Sequence, residues 1–209
     1  KALSEAMEKV TARADRANPK EKLYIQAWNS SWIEKDWDKF LRTMEEITKK
    51  YPREKEAHYW LGLYSSGSNN DMAIRELQKA LDLDPYYSGA LGDISFTYKL
   101  MGDFEKALEY ANRYVAAAPN EASPLGDYLA SLYLRMGLFD PAIEKCKEAL
   151  SIKPDFNYAL GNLAIAHGLK EDYGEALKWA DEKITRSTLP FDKADGYLLK
   201  AFLEYWTGA

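Results

Sequence analysis

The sequence lacks the residues and segments that disulfide frameworks, metal centres and membrane spans require. Its 209 residues include one cysteine, Cys146, and two histidines, His58 and His167. One cysteine forms no intramolecular disulfide and no cysteine cage for zinc. No apolar run approaches the ~18–20 residues that span a bilayer, and no signal-like segment is present. No strand-length alternation of apolar and polar residues appears, so no β-strands are predicted.

Charge of either sign is nowhere concentrated. The net charge is -5, and the charged residues, 29% of the chain, are interspersed. Nucleic-acid binding needs clustered Lys and Arg to neutralise phosphates, so we expect no nucleic-acid partner. The chain is expected to be soluble, without membrane insertion. The composition does not identify the compartment, although it favours the cytoplasm.

The few residues able to do chemistry do not form a catalytic pattern. His58, His167 and Cys146 are all predicted on inward-facing helix positions, and we expect neither histidine to have a carboxylate or cysteine partner. The acidic pairs Glu45-Glu46 and Asp181-Glu182 are adjacent in sequence, so their side chains point to different sides of a helix. We therefore predict no catalytic residue, no metal site, no cofactor and no enzymatic activity.

What the sequence does contain is an internal repeat. Four prolines are separated by 33, 34 and 35 residues, and they are Pro52, Pro85, Pro119 and Pro154. Four alanines keep nearly the same step, and they are Ala73, Ala107, Ala142 and Ala176. A small residue also recurs midway along each preceding helix, at Gly62, Ser95, Ala130 and Ala164. Small residues on facing helices let the two backbones approach closely, so each repeat is predicted to be a helix pair.

A period near 34 residues with helical apolar spacing resembles the tetratricopeptide repeat family over roughly residues 21–209. The resemblance implies an all-α fold, a right-handed superhelical solenoid of helix-turn-helix repeats with about twelve helices in one domain. Residues 1–19 are predicted to form a capping helix, and residues 191–209 a last helix. The five repeats between them are predicted at about 21–53, 54–86, 87–120, 121–155 and 156–190.

The first repeat departs from the family pattern. Trp28 and Phe40 stand where the other repeats have small residues, so its two helices should lie further apart. Tyr24 and Trp37 are expected to face inward with them. In the second helices, Cys146 should be a buried and unreactive thiol.

The resemblance also implies that function lies on the concave face, which the first helix of each repeat lines. The partner-binding residues predicted there are Asn29, Trp32, Tyr59, Leu63, Phe96, Lys99, Leu100, Asp127, Leu134, Arg135 and Tyr158. Most of these side chains are large and uncharged. Gly89, Gly92 and Gly161 are expected to leave pockets beside the aromatic residues.

Members of this family that bind chaperone tails grip a C-terminal carboxylate with Lys, Asn and Arg side chains. Asn29 matches one Asn, but Ile25 stands where a Lys is needed. Trp60, Gly89 and Asp93 occupy the remaining positions. We therefore do not expect this groove to bind chaperone tails.

Three functions remain open. An apolar concave groove favours a scaffold that binds a partner peptide or an amphipathic helix. The second function is a regulatory or sensory segment that binds a small apolar ligand in the pockets expected beside the glycines. Residues 20–27, with Trp37 and Pro52, resemble the arrays that follow kinase or cyclase domains in bacterial signalling proteins, which favours a regulatory or sensory segment. A dimerisation arm is the third, because Phe202, Tyr205 and Trp206 predict self-association through the last helix.

Overall fold

A computed structural model describes Thr11 and residues 14–207 of the chain, and all structural statements below concern those residues. The predicted capping helix, residues 1–19, lies mostly outside this range. The described residues form helices and turns, with no β-strand among them. Within the same range, no helix is long and apolar enough to cross a membrane.

Eleven helices of at least ten residues run through the described part of the chain. They are α1 (Pro19–Asn29, continued by a π-helical turn, Ser30–Glu34), α2 (Trp37–Lys50), α3 (Lys55–Ser65), α4 (Asn70–Leu83), α5 (Ser88–Met101), α6 (Phe104–Ala117), α7 (a π-helical segment, Pro124–Leu129, followed by Ala130–Arg135), α8 (Phe139–Ile152), α9 (Asn157–Leu169), α10 (Tyr173–Arg186) and α11 (Pro190–Thr207). The odd-numbered helices are the first helices predicted for each repeat, and the even-numbered ones are the second helices. The all-α prediction is confirmed.

The chain divides into two compact units, residues 1–97 and residues 98–209, which we describe separately. In the first unit α1 packs on α2, α2 on α3, and α3 on α4. In the second unit α6 packs on α7, and each helix from α7 to α11 packs on the next. Sequence neighbours are thus spatial neighbours, as in repeat proteins.

The second helices begin with a recurring turn. At four of them a side-chain oxygen accepts a hydrogen bond from the backbone N–H three residues later, and the four capping residues are Asp36, Asn69, Asp103 and Asp172. Two or three residues before the start of each of the five second helices the backbone takes a φ of 60–85°, at Lys35, Gly67, Gly102, Gly137 and Glu171. Glycine adopts this conformation without steric cost. The conformation explains why Gly102 and Gly137 recur at the repeat spacing.

Small residues lie where the predicted helix pairs cross, which confirms their assigned role. The four recurring alanines of the second helices are fully buried, and so are the four small residues of the first helices. At Gly62 an added Cβ would lie 2.6 Å from Cγ of Leu77 and 3.0 Å from the carbonyl oxygen of Ala73. The backbones of α3 and α4 therefore approach more closely than a side chain at residue 62 would allow.

An aromatic cluster fills the space between the first two repeats. The ring centroids of Trp28 and Phe40 are 5.1 Å apart, and Trp28 lies 5.1 Å from Trp60. The ring centroids of Trp37 and Tyr64 are 5.0 Å apart. The prediction that Trp37 faces inward is nevertheless wrong, because the residue is 43% exposed. As the first residue of α2, it lies at the edge of the cluster, and one side of its ring meets solvent.

Candidate functional site

In the first unit, the predicted binding residues differ in how much surface they present. Trp32 and Phe96 are each 40% exposed, whereas Asn29, Tyr59 and Leu63 are half-buried. The Nδ2 of Asn29 donates a hydrogen bond to Glu34 Oε1 over 3.2 Å. The amide is therefore already engaged at the end of its own helix. Trp32 and Phe96 are the two large apolar side chains of this set that a partner can reach.

In the second unit, the predicted residues combine apolar surface with a partly buried charged group. Leu100, Arg135 and Tyr158 are exposed, and Lys99, Asp127 and Leu134 are half-buried, so all six predicted residues reach the surface to some degree. Further exposed apolar side chains follow on α9, at Ile165 and Leu169. The set therefore presents an apolar surface with a polar centre.

The polar centre consists of Lys99, Asp127, Ser131 and Arg135. Lys99 Nζ donates a hydrogen bond to Ser131 Oγ over 3.1 Å. Burial lowers the pKa of Lys99; the Asp127 carboxylate opposes that shift and the Arg135 charge adds to it. Burial raises the pKa of Asp127, and Lys99 opposes the change. The charges are thus partly desolvated, which strengthens their interaction with any polar group that replaces the remaining water.

The prediction that glycines leave pockets on this face is wrong for Gly89 and Gly161. An added Cβ at Gly89 would lie 3.1–3.2 Å from the ring and hydroxyl of Tyr59. At Gly161 it would lie 3.1 Å from Nζ of Lys183. A long side chain from a neighbouring helix therefore fills the space above each glycine. Cavities for a small apolar ligand are not present at these two positions.

Tyr59 also forms a polar contact on the first-helix face of the first unit. Its hydroxyl donates a hydrogen bond to the Asp93 carboxylate, which lies on α5. Burial raises the pKa of Asp93 from 3.8 to about 6, and the hydrogen bond from Tyr59 only partly offsets that rise. Asp93 therefore loses its proton less readily in the folded chain than in the unfolded chain.

Replacing Asp93 by Asn should stabilise the protein near neutral pH. The pKa of Asp93 is higher in the folded chain than in the unfolded chain. The free energy of unfolding is therefore highest below pH 3.8 and decreases as the pH rises through about 6. At 1.36 kcal/mol per pKa unit, Asp93→Asn should gain about 3 kcal/mol above pH 7. Below pH 4 the two proteins should unfold at equal denaturant concentration. A pH-independent difference in urea melts would contradict the burial of Asp93.

The residues considered for chemistry form packing contacts. Cys146 is fully buried, which confirms its predicted burial, and burial raises the pKa of its thiol to about 12. His58 is also buried, and its Nδ1 lies 2.8 Å from Glu76 Oε2. His167 Nδ1 lies 3.1 Å from Asp172 Oδ2. Both histidines thus have a carboxylate partner that sequence inspection missed, although no cluster in the described residues has three or more metal ligands.

The last helix has a strongly apolar exposed side. Phe191 and Tyr205 are each 80% exposed, and Leu198, Phe202 and Trp206 are also exposed. On the opposite side Gly196 and Leu203 are buried against α10 and α9. A groove of about 200 Å³ borders the exposed side, and its lining includes Trp206. Self-association through this helix stays a prediction.

Comparison with known proteins identifies the repeat. The family model described as "Tetratricopeptide repeat" matches residues 88–121 and 129–156. These two segments are tetratricopeptide repeats. The two matches cover α5–α6 and the greater part of α7–α8. These are predicted repeats three and four, where both helices of the pair carry the recurring small residues.

Other tetratricopeptide proteins are similar over longer stretches. The TPR repeat-containing protein YpiA of Bacillus subtilis is 29% identical over 133 residues, which are 63% of this chain and 31% of YpiA. The chain thus spans about a third of the length of this curated relative.

Solved structures support the tetratricopeptide fold at low sequence identity. A tetratricopeptide repeat protein from Parabacteroides merdae superposes with a TM-score of 0.74 at 18% identity, covering 90% of this chain and 73% of that one. PilW, described as a type IV pilus biogenesis factor, superposes with a TM-score of 0.75 at 19% identity, covering 92% and 88%. At these sequence identities the similarity concerns the fold alone, and it confirms the predicted solenoid class.

Proposed function

We propose that this tetratricopeptide protein is a non-enzymatic scaffold that binds an extended peptide or an amphipathic helix of a partner protein. The observation that carries the proposal is the set of large apolar side chains exposed on first helices. They are Trp32, Phe96, Leu100, Tyr158, Ile165 and Leu169. Exposed aromatic anchors of this kind dominate the binding energy of many protein interfaces. The tetratricopeptide fold, which commonly mediates protein interactions, supports the same class of function.

The surface of the second unit suits a peptide better than a small ligand. Tyr158 and Leu100 offer apolar contacts, while Lys99 and Asp127 offer partly desolvated charges for a peptide's polar groups. The space above Gly161 is filled by Lys183, so the small-ligand alternative loses a pocket that it needs. A regulatory segment within a larger signalling protein is compatible with peptide binding, and only its small-ligand form is disfavoured.

A peptide-display selection against the intact chain tests this function. Peptides that bind the first unit should lose about 30-fold in affinity in Phe96→Ala, and those that bind the second unit should lose as much in Tyr158→Ala, since an anchor contributes about 2 kcal/mol. The matched control is Tyr86→Ala, because Tyr86 is 75% exposed and lies in the turn before α5. That control should leave affinity unchanged in titration calorimetry. Peptides that bind equally well to Trp32→Ala, Phe96→Ala and Tyr158→Ala variants would contradict the proposed faces.

We also infer that the chain self-associates through α11. The large apolar side chains on its outer side are more exposed than those of any first-helix face described above. Such a surface is uncommon on monomeric proteins unless it has a partner. This second role concerns residues other than the peptide-binding ones, so either can hold without the other.

A further inference from the structure

The exposed side of α11 has a regular alternation of large and small residues. Phe191, Leu198 and Tyr205 are seven residues apart, and Ala194 and Ala201 lie between them. Positions spaced three, four and seven residues apart lie on one stripe of a helix. All five residues are exposed. The stripe therefore presents large side chains separated by gaps of alanine size.

The same complementarity holds the repeats together inside the protein. In α4 and α8 the fully buried alanines are also seven residues apart, at Ala73 and Ala80 and at Ala142 and Ala149. In α9 the large residues Leu160 and Leu163 are fully buried, and α9 packs on α10. Leu163 of α9 lies in one buried cluster with Ala149 of α8, so a large side chain of one helix packs where a neighbouring helix has an alanine. The α11 stripe has both features on one surface.

We propose that a second copy of this chain covers the stripe, with the two α11 helices packed antiparallel about a two-fold axis near residues 199 and 200. This inference rests on the self-association proposed above and gives it a geometry. In this register Tyr205 of one copy meets Ala194 of the other, and Leu198 meets Ala201. A parallel pair would instead place Phe191 on Phe191 and alanine on alanine, which gives clashes and voids.

The exposed apolar side chains of α11, including Phe202 and Trp206 beside the stripe, have close to the area that such a pair needs. At 150–250 Å² for each aromatic side chain, covering the exposed parts of Phe191, Leu198, Phe202, Tyr205 and Trp206 removes roughly 700 Å² per copy from water. Stable protein interfaces bury about 800 Å² per partner. Isologous contacts of this kind close into dimers and do not propagate.

Sedimentation of variants tests whether defined packing holds the copies together. We expect a dimer that Leu198→Glu with Phe202→Glu converts to a monomer, whereas Tyr86→Glu leaves it intact. Ala201→Leu should weaken the dimer at least about 10-fold, because it fills the gap that receives Leu198. General apolar adhesion would strengthen with the added leucine, so a tighter Ala201→Leu dimer would overturn the proposed packing.

Two matched cysteine variants test the antiparallel register. With a rise of 1.5 Å per residue, residue 201 lies about 4–5 Å along the axis from its mate, and residue 194 about 16 Å. A short bismaleimide should therefore cross-link Ala201→Cys and leave Ala194→Cys uncross-linked. Cys146 is fully buried and does not compete for the reagent.

The possible outcomes test the antiparallel register, the role of α11 and self-association separately. Cross-linking of both variants would indicate a parallel pair and overturn the register. A dimer in which neither variant cross-links would place the contact elsewhere and overturn both the register and the role of α11. A monomer at all concentrations would overturn self-association itself. None of these results bears on the peptide affinities of Phe96 and Tyr158 variants, which test the scaffold function.

Discussion

Replacing His58 by Leu is expected to destabilise the protein by about 3 kcal/mol, because the buried Glu76 carboxylate loses its buried partner and keeps only the half-exposed Lys79. His58 and Glu76 side chains are only 4% and 7% exposed, and 2.8 Å separates Nδ1 from Oε2. The Nε2 of His58 lies 3.1 Å from the carbonyl oxygen of Pro52. Both partners are acceptors, so both ring nitrogens donate only when the imidazole is doubly protonated.

Replacing both partners should restore much of that loss. In His58→Leu with Glu76→Leu no buried charge remains, and apolar replacements of buried ion pairs are often close to neutral. Urea melts of the two single variants and the double variant measure the coupling between the residues. The matched control is His167→Leu, which removes a histidine whose partner Asp172 is half exposed. It should cost less than about 1 kcal/mol. Additive effects of the two single variants would show that the pair is not coupled.

The contribution of the pair should also depend on pH in a defined direction. Burial raises the pKa of Glu76, but hydrogen bonds from His58 and Lys79 outweigh burial and hold the pKa below its ordinary value of 4.5. A lowered carboxyl pKa stabilises the fold above the unfolded value, and that stability is lost as pH falls through the folded one. The coupling measured at pH 7 should therefore decline below pH 4.5.

The sequence period was sufficient to predict the helix pairs because their packing depends on residue size at fixed positions. Ala73, Ala107, Ala142 and Ala176 are fully buried as predicted, since a larger side chain at a helix crossing forces the backbones apart. Trp37 shows the limit of such patterns, because an aromatic residue at a helix start can pack on one face and stay exposed on the other.

Contacts between helices were harder to predict than the helices themselves. Glu76 lies 18 residues from His58 in sequence, and only the crossing of α3 and α4 brings the two together. The spaces above Gly89 and Gly161 depended on whether Tyr59 and Lys183 extended into them. A glycine in the sequence shows that space is needed, but the neighbouring side chain determines whether that space stays open. Phe96 and Tyr158 are exposed on first helices as their register predicts, whereas Leu63, at the same repeat position as Phe96, is half-buried.

The close crossing of α3 and α4 gives the second large effect, at Gly62. Replacing Gly62 by Leu should destabilise the protein by about 3 kcal/mol, at the upper end of the cost of overpacking. An added Cβ would lie 2.6 Å from Leu77 Cγ, 3.0 Å from the Ala73 carbonyl oxygen and 3.0 Å from the Leu77 backbone nitrogen. Leu77 can rotate away from the new atom. The two backbone atoms move only if α4 shifts as a whole.

The milder change Gly62→Ala separates this clash from helix propensity. Alanine is favoured over glycine in a helix by about 1 kcal/mol, so an unobstructed site gains stability from the substitution. Gly174 is such a site, since an added Cβ there meets no atom within 4 Å. We expect Gly174→Ala to raise the urea midpoint and Gly62→Ala to lower it, with unchanged slopes. If both substitutions raised the midpoint alike, α3 and α4 would lie further apart than described.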